Sequence, residues 1–304
     1  MYRKHAAIGI VHFMAYPDTI RGAGPIIKTV SEIAEDPFFD AIEIGHIEDV
    51  NTRRATARLL RQAHLRIGFG AQPILLIGKH DLNSLDEGKR QEAIAVIQRA
   101  VDEALEVGAE RLALLSGSAP KDSTQRAQCI ELLIDSLIRV CEHAKGEIGI
   151  TLETFDGDLD KCALIGNDHK EAAQVARAIR QEGHDFGLLV DLSHLPQQRE
   201  TAKQALETSR EFLVHAHIGN CVLKPGHAAY GDKHPRFGIE DGENDVPELA
   251  EFLQVLFNIG FLSQDRQPIL SFEVSPTDGE SSSILLANAK RVFLQAWSRM
   301  RGVG

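Results

Sequence analysis

The chain has 304 residues, 43% hydrophobic and 25% charged, which suits one sizeable core within the length of a single α/β barrel. A formal net charge of −11 argues against nucleic acid as a partner, because phosphates need a basic footprint; a neutral sugar or polyol suits the charge, and an anionic substrate would need a local basic patch. The four cysteines, Cys129, Cys141, Cys162 and Cys221, are scattered without a CxxC pair and read as reduced thiols, so a cytoplasmic protein is expected.

Residues 1–5 run into a short apolar stretch at 6–11, which reads as a first strand and not as a signal peptide. No apolar run approaches the roughly 18 residues of a membrane helix, so no membrane is expected. In chain order, strands are predicted at 6–13, 41–45, 66–70, 111–115, 148–153, 186–191, 212–218 and 268–274. They are short and almost continuously apolar, as strands buried on both faces are. Helices are predicted between and after them at 25–34, 52–63, 87–107, 123–144, 169–181, 201–208, 247–257 and 283–297. The 87–107 helix carries Ile94, Ile97, Val101, Ala104 and Leu105 on one stripe and stops at Gly108. Asn51, Asp122 and Asp245 stand where N-caps belong. Strict alternation predicts an α/β fold, a (β/α)8 TIM barrel, as a single domain over residues 1–304. The competing open doubly wound sheet lacks its glycine fingerprint, since no GxGxxG follows the first strand.

Four of the later strands end in a side chain able to ligate a metal: Glu153, Asp191, His217 and Glu273. Parallel barrel strands point their C-terminal ends at one face, so the four tips converge. Two Glu, one Asp and one His form a mostly oxygen-donor site suited to Mn²⁺, Mg²⁺ or Co²⁺, and also to Zn²⁺. His215 lies two residues before His217 and points to the same side of the strand, leaving it an alternative ligand or a deeper core residue. His217 is favoured because it is nearer the strand end. Two loops are long, 156–168 and 219–245, and both leave the face where barrel active sites sit. In the second, His227, Tyr230, His234 and Arg236 are candidates for closing over a substrate. His46 at the end of strand two and His12 in strand one are candidates for lining the pocket, set against a rim or core role. Ser116-Gly117-Ser118 reads as an ordinary βα turn or as an anion seat.

The ordered set Leu152-Glu153, Asp191-Leu192-Ser193-His194, His215-Ala216-His217 and Phe272-Glu273 resembles the sugar isomerase/epimerase superfamily of xylose isomerase-like barrels. Gly242-Glu243-Asn244-Asp245-Val246-Pro247 and Leu82-Asn83-Ser84-Leu85-Asp86 extend the likeness to nearly the whole chain. The long loop after strand seven and the stretch 155–161 also look like the catalytic subunits of bacterial C-glycoside deglycosidases. The resemblance implies that Glu153, Asp191, His217 and Glu273 hold one divalent cation, Mn²⁺ first, and that Glu153 and Glu273 serve as acid and base. It implies that His194 bonds a substrate oxygen, with ligand orientation as its other reading. Arg236 resembles the family's arginine after the strand-seven ligand, at a longer spacing. Substrate contacts are thus expected from His194, Arg236, His46 and His234.

A cation in such a site polarises a carbonyl and stabilises the enediolate left when a neighbouring C–H proton departs. The expected function is therefore metal-dependent isomerisation or epimerisation of a sugar or keto-polyol. The alternative is β-elimination by a lyase or dehydratase, such as cleavage of a 3-oxo C-glycoside with a small partner subunit. An abasic-site endonuclease ranks lower, needing about three metals and a basic groove. A non-catalytic barrel conflicts with the complete ligand set. The expected partner is a small carbohydrate or polyol, with a second copy of the chain or a small subunit as the candidate protein partner.

Overall fold

The computed structural model describes residues 2–277 and 279–302. All eight apolar segments form strands: β1 (Ala7–Ile10), β2 (Ala41–Ile44), β3 (Arg66–Gly70), β4 (Arg111–Leu115), β5 (Gly149–Glu153), β6 (Phe186–Asp191), β7 (Leu213–Gly219) and β8 (Ile269–Glu273). They pair in parallel in the order β1-β8-β7-β6-β5-β4-β3-β2, and a parallel bridge from Val11 to Glu43 joins the two ends. The chain is a single (β/α)8 TIM barrel.

The eight expected helices surround it: α2 (Ile26–Ala34), α3 (Val50–Ala63), α5 (Glu87–Val107), α6 (Arg126–Ala144), α7 (His169–Gln181), α9 (Ala202–Ser209), α10 (Val246–Asn258) and α11 (Ser282–Arg299). Three short helices on the loops were not expected: α1 (His12–Ala15), α4 (Gln72–Gly78) and α8 (His194–Gln198). Strand one therefore ends earlier than the apolar run suggests. His12 turns out of the sheet, and its ring nitrogen lies 2.8 Å from Thr29 Oγ1 on α2. Capping follows side-chain reach. Asp49, and not Asn51, caps α3 by accepting from Thr52 N at 2.7 Å. Asp122 accepts from Thr124 N in the turn that runs into α6, and the Asp245 N–H donates to Glu248 at the start of α10. Among the described residues, no helix is long and apolar enough to cross a membrane.

Alternation along the strands separates two interiors. Ile150, Leu152, Leu188, Val190, Ile218, Leu270 and Phe272 face outward into the apolar layer under the helices. The α5 stripe packs on β3 and β4 in the same layer, with Ile94, Ile97, Val101 and Ala104 buried; each such burial contributes about 1.5–3 kcal/mol for the larger side chains. Residues of the other parity face the barrel axis, where small and polar side chains stand beside Leu115, Leu189 and Ile269. Ala7, Ala41 and Ile269 form a separate apolar plug. Above them come Glu43, Thr151, His215 and Ser271, and then the strand-tip ligand candidates. Gly68 makes this possible, since a Cβ there would lie 2.7 Å from Glu43 Cγ. The helices thus bury the apolar face of the sheet, while the axis is left for polar groups at the C-terminal mouth.

Candidate metal centre

β5, β6, β7 and β8 bring Glu153, Asp191, His217 and Glu273 together, with one donor atom of each within 4.8 Å of the others. His217 Nδ1 lies 2.5 Å from Glu273 Oε2 and 3.9 Å from Glu153 Oε1. Its other nitrogen, Nε2, lies 3.0 and 3.1 Å from the two oxygens of Glu43. A carboxylate only accepts, so Nε2–H donates to Glu43 and Nδ1–H to Glu273, and Nδ1 is the nitrogen turned to the cluster, where a cation would take the place of its proton. His215 sits one layer deeper, its Nε2 2.8 Å from Glu43 Oε1. Glu43 is thereby fixed by two imidazoles at the barrel's centre.

The electrostatics are those of a site crowded with acids. Burial, and then the charge of Glu273, push Glu153 up to about 8. Burial also pushes Glu273 upward, but the charges of His234 and His217 outweigh it and hold it at about 2. Asp191 is raised by burial, although it accepts bonds from Ser193 N at 2.8 Å and Ser193 Oγ at 2.6 Å. Burial works against a charged His217, yet Glu43 and Glu273 keep its pKa well above the ordinary value. Glu153 Oε1 is buried with no hydrogen-bond partner among the described residues. Three carboxylates, one imidazole nitrogen and an orphaned carboxylate oxygen within this span fit a divalent cation of the hard or borderline class.

The long loop after β7 adds a second tier. Asp232 Oδ1 stands 3.0 Å from His194 Nε2 and 2.7 Å from His234 Nε2. His194 Nδ1–H donates to the Thr154 carbonyl at 3.0 Å, which directs Nε2 inward. His234 Nδ1 is 3.7 Å from Asp191 Oδ2, and its Nε2 is 3.7 Å from Glu273 Oε1. Asp191, His194 and His234 thus form another group with donors within 4.8 Å. Lys161, from the loop after β5, pairs with Asp232 at 3.0 Å. That loop is wound on Asp156, whose carboxylate accepts from Leu159, Asp160 and Lys161 N at 2.6 to 2.7 Å. The β7 loop is held by Asn220, which accepts from Cys221 and Asn244 N and donates to the Arg236 carbonyl.

A cavity of about 180 Å³ opens above the cluster. Its polar floor includes Glu43, Gln72, His217 and Glu273, and its wall is apolar, with Phe13, Met14, Pro73, Leu76 and Ile77. A larger cavity of about 300 Å³ lies at the opposite mouth among Arg66, Arg111 and Arg266 and reaches Glu43 and His215 from below. The Glu153, Asp191, His217 and Glu273 cluster belongs to the C-terminal face, and His217 and Glu273 line the smaller cavity.

Of the residues singled out from sequence, Glu153, Asp191, His217, Glu273, His194 and His234 meet in one place. His46 and Arg236 do not. His46 Nδ1 bonds Glu103 on α5 at 2.8 Å, with its side chain 36% exposed. Arg236 pairs with Glu280 at 2.9 Å and its guanidinium donates to the Gly238 carbonyl at 3.1 Å, which holds it on the outer side of its loop. The turn at Ser116–Ser118 is occupied by the chain's own acid, since a Cβ at Gly117 would fall 1.7 Å from Asp81 Oδ1. Sequence reasoning missed Glu43, Gln72, Asp232 and Lys161. Glu43 left one signal, a lone acid inside the apolar run Ala41-Ile42-Glu43-Ile44.

The family model described as xylose isomerase-like TIM barrel matches residues 32–288. No curated protein matches the chain in sequence. Among solved structures, a D-tagatose 3-epimerase-like protein superposes with a TM-score of 0.73 at 17% identity, covering 96% of this chain and 99% of its own. An IolI protein with a bound zinc atom gives 0.73 at 14% identity, covering 98% and 100%. D-psicose 3-epimerase from Clostridium cellulolyticum H10 gives 0.64 at 16% identity, covering 96% of each chain. At such identities these likenesses concern the fold. The family match spans most of the chain, and the protein belongs to the xylose isomerase-like TIM barrel family.

Proposed function

We propose that this protein is a divalent-metal-dependent isomerase or epimerase of a sugar or keto-polyol, working by proton abstraction next to a carbonyl. The reading rests on one observation above all: Glu153, Asp191, His217 and Glu273 bring their donor atoms within 4.8 Å at the active face of the barrel. A divalent cation bound there, Mn²⁺ by preference and Zn²⁺, Mg²⁺ or Co²⁺ as substitutes, supplies Lewis-acid polarisation of a carbonyl and its neighbouring hydroxyl. Glu43 holds His217 in the tautomer that faces the cluster. Glu273 and Glu153, on strands three places apart in the barrel, are the candidate pair for taking a proton from the substrate and returning it on the other side. His194 and His234, set by Asp232, are placed to bond substrate oxygens. The apolar wall keeps water from the reacting carbon. The names of two neighbours, a D-tagatose 3-epimerase-like protein and a D-psicose 3-epimerase, agree with this chemistry. We assign the protein to the cytoplasm, in keeping with four free cysteines.

A second reading shares the first proton transfer and ends in loss of a β-leaving group. The apolar wall beside the cluster favours it, because a substrate with an apolar substituent would rest there; the C-glycoside cleavage reading, with its small partner subunit, belongs here.

The test is a solvent-deuterium exchange screen over ketohexoses, keto-inositols and 3-oxo glucosides with added Mn²⁺. Wild-type protein is expected to place deuterium on a carbon beside the carbonyl, and Glu153→Gln and Glu273→Gln to lose this by at least about 100-fold with the fold intact. Exchange that survives in both variants, or is absent from the Mn²⁺-loaded wild type with every substrate, would overturn the reading.

A further inference from the structure

Gln72 is the first residue of α4, directly over the C-terminal end of β3, and it is 8% exposed. Its Nε2–H donates to Glu153 Oε2 at 2.7 Å. With Glu153 ionised, as a cation at the cluster would keep it, its carboxylate only accepts, so the amide nitrogen faces it and the carbonyl end, Oε1, is turned away. That oxygen is buried and has no hydrogen-bond partner among the described residues. It lies over Gly70, where a Cβ would come within 3.1 Å of it, and Gly70 and Gln72 line the same cavity as His217 and Glu273. A buried amide carbonyl without a partner is unfavourable, and a side chain that keeps one in an active-site floor is commonly completed by what binds there.

We propose that Gln72 contacts the substrate, its Oε1 accepting a hydrogen bond from a hydroxyl close to the reacting carbon while its amide holds Glu153 in place. The inference rests on the polyol reading above and sharpens it. The substrate must carry a hydroxyl on the side of Glu153, and the site rejects a compound deoxygenated there. A pocket built to bond a hydroxyl discriminates against its absence more strongly than an apolar pocket discriminates by shape.

The experiment uses full-length protein with Mn²⁺ and, as probe, whichever compound exchanges deuterium in the screen, together with its monodeoxy analogues. Gln72→Met keeps the length and removes the polar atoms, and Gln72→Asn is the second variant. The Mn²⁺ dissociation constant is expected to rise by no more than about 10-fold, because Gln72 also bonds Glu153, and kcat/KM for exchange at saturating Mn²⁺ is expected to fall about 10- to 100-fold. One deoxy analogue should cost wild type a similar factor and cost Gln72→Met almost nothing more. Two results overturn the contact and leave the wider reading standing: deoxy penalties that add fully in wild type and variant at every position, or a loss of Mn²⁺ affinity in step with the loss of exchange, which would make Gln72 a structural support of Glu153 alone. Absence of exchange in the wild type removes the polyol reading and the contact together.

Discussion

Glu43 touches the cluster only through His217, yet it decides which imidazole nitrogen is presented. Outer partners of this kind typically tune metal affinity 10- to 100-fold. Glu43→Ala is therefore expected to weaken Mn²⁺ binding by about that factor in calorimetric titration. Unchanged affinity would mean that the His217 ring is held by other means. His12 gives a separate, metal-free prediction. Burial lowers its pKa to about 4, so the folded chain refuses a proton that the unfolded chain takes below about 6.5. Stability is lost as pH falls from 6.5 toward 4, by about 3 kcal/mol from this residue. His12→Gln, which can still bond Thr29, should flatten that part of the urea-unfolding profile relative to wild type. Parallel profiles would exclude His12 as the cause. At this scale the convergence of the four strand-tip side chains was legible in sequence, because parallel strand direction alone brings their ends to one face. Gln72 and Asp232 were not, because their partners Glu153, His194 and His234 are chosen through space, and nothing in the local residue pattern marks them. The place of Arg236 was not legible either, because Glu280, which pairs with its guanidinium, is also chosen through space.

The two long loops are elements in their own right. The β5 loop is wound on Asp156, and the β7 loop docks on it where Asp160 accepts from Asp232 N at 3.1 Å and Lys161 pairs with Asp232. Asp156→Ala would leave three short N–H bonds without an acceptor. It is expected to raise KM about 10-fold or more through loss of positioning, with faster amide exchange at 159–161 while the barrel strands stay protected. Unchanged exchange at those amides would show that the loop does not depend on this carboxylate. The sequence marked these loops by length alone, because their order comes from side-chain-to-backbone bonds such as those of Asn220 and Asp156. The short helices α1, α4 and α8 escaped notice for a related reason: four to seven residues are too few to show a helical period. The longer helices and all eight strands were readable because each buries an apolar stripe or run.

Across the whole molecule, the outer apolar layer stabilises the barrel and frees its axis to hold charge. Glu43, Glu153, Asp191, Asp232 and Glu273 crowd into that axis against His194, His215, His217 and His234, within a chain of net charge −11. A divalent cation at the strand tips would offset much of this repulsion, and at 100-fold excess over its Kd would add about 2.7 kcal/mol to stability. The most direct test is anomalous diffraction at the manganese edge from crystals grown with Mn²⁺. The account predicts one strong peak about 2.0–2.4 Å from oxygens of Glu153, Asp191 and Glu273 and from His217 Nδ1. A map with no peak among these four side chains, at saturating Mn²⁺, would contradict it.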